Sequence, residues 1–240
     1  MASTSTSSFD GKSSAASPKV LVIGFGALGA LYSWLLSKGG AEIYALARSN
    51  AKSLSERGID IRSQKYGNDS GFKPHKVLSS VEEVAQYEPY DYILCTMKIV
   101  PEEQKTGDLL LNLLKGKGVH SQLERKKKPT IVFVENGIGI EEEPLETLCK
   151  GKDSVASTII SCCAWLGATL EEGGTVVSHG SLETLQMGLY PAPDPGNDDA
   201  EELAWRMEKL NVFGDTFARG GGGTKLIEGD IQPQRWRKRE

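Results

Sequence analysis

The chain has few of the residues that cross-link a fold or hold a metal: four cysteines, Cys95, Cys149, Cys162 and Cys163, and three histidines, His75, His120 and His179. No two cysteines form a C-x-x-C pair and the histidines stand far apart, so neither a disulfide framework nor a metal site is expected. It also lacks any run approaching the roughly 18 to 20 apolar residues of a membrane span, and its first residues hold no apolar stretch of a signal peptide. No membrane association is expected, and the thiols read as reduced in a cytoplasmic protein. Nor is positive charge in excess. A net charge of -4 offers nothing to attract a phosphate backbone or anionic lipid, which excludes nucleic acid and leaves small molecules as the expected partners.

What is present is a globular composition, 39% hydrophobic and 25% charged over 240 residues, enough for one large domain or two small ones. Residues 1–18 are rich in Ser, Thr and Ala and bury too little to offset the entropy of ordering, so a disordered tail is expected there. From Lys19 the pattern changes. Val20, Leu21, Val22 and Ile23 form a β-branched run of the kind buried on both faces of a parallel sheet, and the run ends in Gly24-Phe25-Gly26-Ala27-Leu28-Gly29. Leu31, Trp34, Leu35 and Leu36 then recur at helical spacing until Gly39-Gly40, and Ile43–Ala47 closes a strand, turn, helix, strand unit.

Further strands are predicted at Tyr92–Thr96, Ile131–Val134 and Val155–Cys163, with a helix near Glu102–Leu114 between the first two. This alternation predicts an α/β fold, a Rossmann-type doubly wound parallel sheet spanning residues 19–228. Beyond Trp165, Thr175–Val177 and Leu185–Leu189 predict short antiparallel strands joined by turns, forming an antiparallel edge. Ala200–Leu210 has helical spacing, and Gly220–Gly223 reads as a flexible hinge.

The glycine turn carries the strongest chemical signal, because a G-x-G-x-x-G between a strand and an amphipathic helix is the setting of a dinucleotide site. Gly24 makes the tight turn, Gly26 admits the pyrophosphate, and Gly29 lets helix and strand pack closely, while Phe25, Ala27 and Leu28 complete the loop around the phosphates. The end of the second strand selects between cofactors. Ala45-Leu46-Ala47-Arg48 offers no carboxylate for a ribose 2′-OH, so NADP(H) is expected, with Arg48 pairing the 2′-phosphate. The Arg125-Lys126-Lys127-Lys128 run reads as a solvated loop and Cys162-Cys163 as core.

Gly24-Phe25-Gly26-Ala27-Leu28-Gly29 resembles the G-x-G-A-L/I-G turn of the ketopantoate reductases, also called 2-dehydropantoate 2-reductases. Cys95-Thr96-Met97-Lys98 is similar to that family's strand-end segment with its lysine, and Glu135-Asn136-Gly137-Ile138-Gly139 to its Q-N-G-x-G segment. Thr175–Gly180 with Met187-Gly188 resembles its glycine-bearing antiparallel strands. The resemblance implies that Lys98 and Asn136 lie beside the nicotinamide. It also matches Asp230–Lys238 to the W-x-K segment that opens the family's second, all-helical domain, which makes Lys238 the implied catalytic acid for reducing a 2-keto acid, 2-dehydropantoate, to pantoate in pantothenate biosynthesis.

After Lys238 only Arg239 and Glu240 remain, so residues 229–240 are expected to be the start of a truncated helical domain that is otherwise largely absent. The rival expectation is therefore a truncated, catalytically impaired module that binds dinucleotide without turnover. The terminal cluster of Arg235, Arg237, Lys238 and Arg239 has its own bland reading, a basic patch for an acidic partner.

Overall fold

The computed structural model describes residues 17–47, 50–98, 105–116, 118–151, 153–194 and 196–238. In chain order its elements begin with β1 (Lys19–Ile23), α1 (Ala27–Lys38), β2 (Glu42–Leu46), α2 (Ala51–Arg57), β3 (Ile59–Ser63), β4 (Gly67–Phe72) and β5 (Lys76–Leu78). There follow α3 (Val81–Gln86), β6 (Tyr92–Cys95), α4 (Thr106–Lys115), α5 (Val119–Gln122), β7 (Thr130–Phe133) and α6 (Glu142–Pro144). The chain then runs through β8 (Thr158–Glu171), β9 (Val176–Tyr190), α7 (Ala200–Arg219), β10 (Thr224–Leu226) and α8 (Gln232–Arg237).

All of these strands join one sheet in the order β4-β3-β9-β8-β7-β6-β1-β2-β5, with β10 beside β9. From β5 across to β8 every pairing is parallel. β8 and β9 then pair antiparallel, as do β3 and β4, while β9 runs parallel to both β3 and β10. The sheet is thus doubly wound and mostly parallel, with a mixed edge.

Strand periodicity divides the core in two. Val20 and Val22 of β1 and Val132 of β7 face one cluster, built with α1 and α7, whereas Leu21, Ile23, Ile131 and Phe133 face the other, built with α3 and α4. Apolar residues on both faces are what a sheet covered on both sides requires. Helix α1 is buried continuously from Gly29 to Leu36 because α7 covers the side the sheet does not, with Tyr32 and Phe217 edge to face at 4.8 Å. The start of α7 follows from Asp199, whose side chain accepts from the Glu202 N–H at 2.8 Å, with Glu201 and Glu202 in the first turn.

Several expectations are corrected. The segments expected at Thr175–Val177 and Leu185–Leu189 are not separate short strands but, from Val176 on, belong to the two ends of the 15-residue β9, which pairs along nearly its whole length with the 14-residue β8. The run expected from Val155 enters the sheet only at Thr158, because the Val155 and Ala156 N–H groups both bond back to the Leu148 carbonyl, at 2.9 and 3.0 Å.

Gly220–Gly223 is a packed turn and no hinge. A Cβ on Gly220 would lie 1.8 Å from the Leu35 carbonyl oxygen and one on Gly222 would lie 2.2 Å from the Phe217 ring, while the Gly223 N–H donates to Glu183 at 2.8 Å. The helix expected at Ala200–Leu210 also continues to Arg219, and that expected near Glu102–Leu114 is described over Thr106–Lys115.

Candidate functional site

The glycine turn stands where the strand order reverses, between β1 with its crossover to β2 on one side and β6 on the other, the place at which open α/β sheets leave a crevice. Gly24 has φ +96°, and a Cβ there would lie 2.5 Å from the Met97 amide nitrogen. One on Gly29 would lie 2.1 Å from the Gly24 carbonyl oxygen, to which Thr96 Oγ1 donates at 2.5 Å. The neighbouring chain therefore demands both of these glycines.

Gly26 differs, because a Cβ on it would meet nothing within 4 Å. Directly after it the 12-residue α1 begins with no side-chain cap and no acidic residue in its first turn. Among the described residues no side chain caps its first N–H groups, which can receive an anion, reinforced by the helix dipole. An uncapped helix start beside open space at Gly26 fits a dinucleotide pyrophosphate, with Phe25 buried beneath the loop and Ala27 and Leu28 packed against the core. Asn50 Nδ2 donates to the Phe25 carbonyl at 3.3 Å and ties the start of α2 to the same loop. Arg48 lies outside the described residues. Lys98 follows β6 with an exposed side chain and lines neither of the cavities described next.

Asn136, just beyond β7, and Lys238, just beyond α8, are 102 positions apart in sequence, yet Lys238 Nζ donates to Asn136 Oδ1 at 2.8 Å. Two cavities meet at this pair. One, of about 180 Å³, is lined by Leu28, Val134, Asn136, Ala164, Leu166, Ala168 and Lys238, and so connects the first turn of α1 to the lysine. The other, of about 320 Å³, is lined by Glu135, Asn136, Gly137, Cys162, Cys163, Arg235 and Lys238. Burial pulls the Lys238 ammonium below the ordinary lysine range; Cys163 opposes that shift and the Arg235 guanidinium adds to it. A depressed lysine is a stronger proton donor.

Beneath the pair lies an ionic network that sequence reasoning did not find. Arg235, its side chain 3% exposed, pairs with the fully buried Glu141 at 2.7 Å, and Ser161 Oγ donates to the same carboxylate oxygen at 2.5 Å. Gln232 Nε2 reaches the other Glu141 oxygen at 3.1 Å. Glu135 is also buried, and neither of its carboxyl oxygens has a hydrogen-bond partner among the described residues. Burial pushes its pKa up to about 8, against the pull of Arg235 and with the repulsion of Glu141. Arg235 stands three residues before Lys238, a spacing that puts both on one helix face, but nothing in sequence pointed to Glu141 or Ser161 as its partners.

Among the described residues no group of three or more His, Cys, Asp or Glu side chains could hold a metal ion, and no helix is long and apolar enough to cross a membrane.

A family model described as ketopantoate reductase PanE/ApbA matches residues 20–192. An uncharacterised protein of Saccharomyces cerevisiae is 26% identical over 230 residues, which are 92% of this chain and 60% of that protein. Among solved structures, a 2-dehydropantoate 2-reductase from Methylococcus capsulatus superposes with a TM-score of 0.69 at 27% identity, covering 92% of this chain and 60% of that one. A D-mandelate dehydrogenase in complex with NADH and anilino(oxo)acetate shares the fold, at 18% identity and a TM-score of 0.59, over 92% of this chain and 60% of its own. The chain thus spans about 60% of the length of each of these relatives.

Proposed function

The chain belongs to the ketopantoate reductase PanE/ApbA family, and from that membership we propose that it binds NADP(H) across the Gly24–Gly29 turn and serves the reduction of a 2-keto acid at Lys238. The observation that carries this reading is the shared cavity: Leu28 of the glycine turn lines the same space as the hydrogen-bonded pair Asn136 and Lys238. On this reading the pyrophosphate rests on the first N–H groups of α1 above Gly26. The ring end lies toward Val134, Asn136 and Ala164. Arg48 supplies the preference for a 2′-phosphate, since β2 ends without a carboxylate. When bound, the reduced nicotinamide supplies the hydride.

The protein's share of the chemistry is positional and protic. Reduction of a carbonyl builds negative charge on its oxygen, and on this reading Lys238, with its lowered pKa, holds that oxygen and gives it a proton. Asn136 accepts from Lys238 through Oδ1 and so aims the ammonium, leaving its own Nδ2 donor for a ligand oxygen. The larger cavity offers the Lys238 ammonium, the sign of charge that suits a carboxylate substrate, and 2-dehydropantoate is the substrate the family suggests.

A parallel titration with NADPH and NADH, followed by nicotinamide fluorescence, tests the cofactor half. Tighter NADPH binding is expected, and binding of neither would refute the reading. Turnover of 2-dehydropantoate with NADPH tests the second half. Trp236, 59% exposed on the helix that carries Lys238, favours a second reading in which dinucleotide binds but the substrate side stays open. Tight NADPH binding with no turnover would support that alternative.

A further inference from the structure

Resting on that reading of Lys238, we propose that Arg235 is the positioning residue of the site, a buried guanidinium that locks the helix bearing Lys238 onto the backbone on both sides of Asn136. Arg235 Nη1 donates to the carbonyl oxygens of Glu135 at 2.8 Å and of Gly137 at 3.0 Å, the residues immediately before and after Asn136. Nε and Nη2 donate to Ser161 Oγ at 3.1 and 2.9 Å, and Nη2 pairs with Glu141 at 2.7 Å. A guanidinium has five N–H donors, and these contacts use all five. None is left for a ligand, so Arg235 lines the larger cavity without being free to bind what enters it.

The helix needs such an anchor. α8 has six residues, too few to be stable alone, and of its side chains only Arg235 is buried. Gln232, one turn earlier, reaches the same Glu141, so two side chains of one face fasten the helix to one carboxylate, and Lys238 follows one turn later. The place of the ammonium is therefore set by Arg235 and, through it, by the β7 end, by Glu141 and by Ser161 of β8. The fork geometry is specific to arginine, because a lysine is a point donor and cannot span two carbonyls and a carboxylate together.

The test compares the parent chain with Arg235→Met, Arg235→Lys and Lys238→Met. NADPH titration reports whether the glycine turn is intact, and steady-state turnover of 2-dehydropantoate separates kcat from KM. A third readout needs no catalysis: the peptide Gly229–Glu240, released by cleavage after Glu228, contains Lys238 as its single lysine. Its labelling by trinitrobenzenesulfonate over a pH series therefore reports that amine alone in the parent and in Arg235→Met, and in Arg235→Lys, where position 235 adds a second lysine, fragment-ion sequencing of the peptide assigns the label to Lys238. Both Arg235 variants are expected to bind NADPH like the parent and to lose about 100-fold in kcat with a smaller change in KM, the scale of a misplacement near 1 Å. On the high-pH plateau, where the amine is free, their Lys238 should label faster, and in Arg235→Met the pH midpoint should move upward, since a neighbouring positive charge is gone while Cys163, Glu135 and Glu141 remain.

Labelling at the parent rate and midpoint in both Arg235 variants, or a kcat within about threefold of the parent, overturns the positioning role. Failure of the parent to bind NADPH, or turnover that survives Lys238→Met, overturns the functional reading instead and leaves the labelling to decide Arg235. Should Arg235→Met not fold, Arg235→Lys and Ser161→Ala weaken the same anchor and carry the same readouts.

Discussion

Replacing Glu135 by glutamine, the residue at that place in the Q-N-G-x-G segment it resembles, should remove most of one limb of the protein's pH-dependent stability. Glu135 is 5% exposed, its two carboxyl oxygens have no hydrogen-bond partner among the described residues, and the nearby Arg235 has committed its donors elsewhere. Its pKa rises from 4.5 to about 8, with burial the largest cause. Below pH 4.5 the carboxyl is protonated in both folded and unfolded chains and costs nothing extra. Between 4.5 and about 8 the folded protein holds a proton that the unfolded chain has released, so stability falls as pH rises. The slope is about 1.4 kcal/mol per pH unit, or roughly 4 to 5 kcal/mol over the whole window.

Glutamine carries no such proton and leaves a neutral amide in the same space. Urea unfolding of both proteins at pH 5, 6, 7 and 8 gives the difference between them at each pH. That difference should be small at pH 5 and should grow in favour of Glu135→Gln by about 1.4 kcal/mol per unit up to pH 8. Taking the difference also cancels the opposite limb, in which His120, pushed down to about 4 by burial, costs stability as pH falls below 6.5. A difference that stays constant from pH 5 to 8 would show that Glu135 is ionised in the folded protein, and the account of its burial would be wrong.

Gly26→Ala should leave the melting temperature unchanged, because its Cβ meets nothing, yet weaken NADPH binding by at least about tenfold if the pyrophosphate rests there. Gly29→Ala should do the reverse first, lowering stability by about 1 to 3 kcal/mol in thermal unfolding, since its Cβ would lie 2.1 Å from the Gly24 carbonyl oxygen. Arg48→Ala should cost about tenfold in NADPH affinity and little in NADH affinity; equal losses in the two titrations would remove Arg48 from the 2′-phosphate.

The parts of this fold that sequence alone could reveal are the local ones. The β1 run, the glycine turn and α1 lie within twenty residues, and each uses a signal that needs no distant partner: an unbroken apolar run, backbone freedom and helical spacing. β9 escaped because its middle, Ser178–Thr184, is largely polar and half exposed, so that only its ends look like strands, and what makes it continuous is the ladder to β8. β4 escaped for a related reason, since Gly67–Phe72 is exposed nearly throughout and owes its conformation to pairing with β3. Gly220–Gly223 looked flexible because glycine permits freedom; here it is chosen for close approach, which shows only when Leu35 and Phe217 are in place.

The site divides in the same way. Asn136 and Lys238 were singled out by resemblance to short motifs, but their 2.8 Å contact depends on a helix whose attachment the motifs do not describe. Arg235 stood within a basic cluster whose charge alone suggested solvent or an acidic partner. Its partners are 74, 94, 98 and 100 positions away, at Ser161, Glu141, Gly137 and Glu135, so only burial turns that arginine from a surface charge into an anchor. The network also holds two buried carboxyls against one guanidinium. With Glu141 and its helpers taking the guanidinium charge, Glu135 is left to keep a proton, and for that reason its titration reports whether the anchor of Lys238 is assembled.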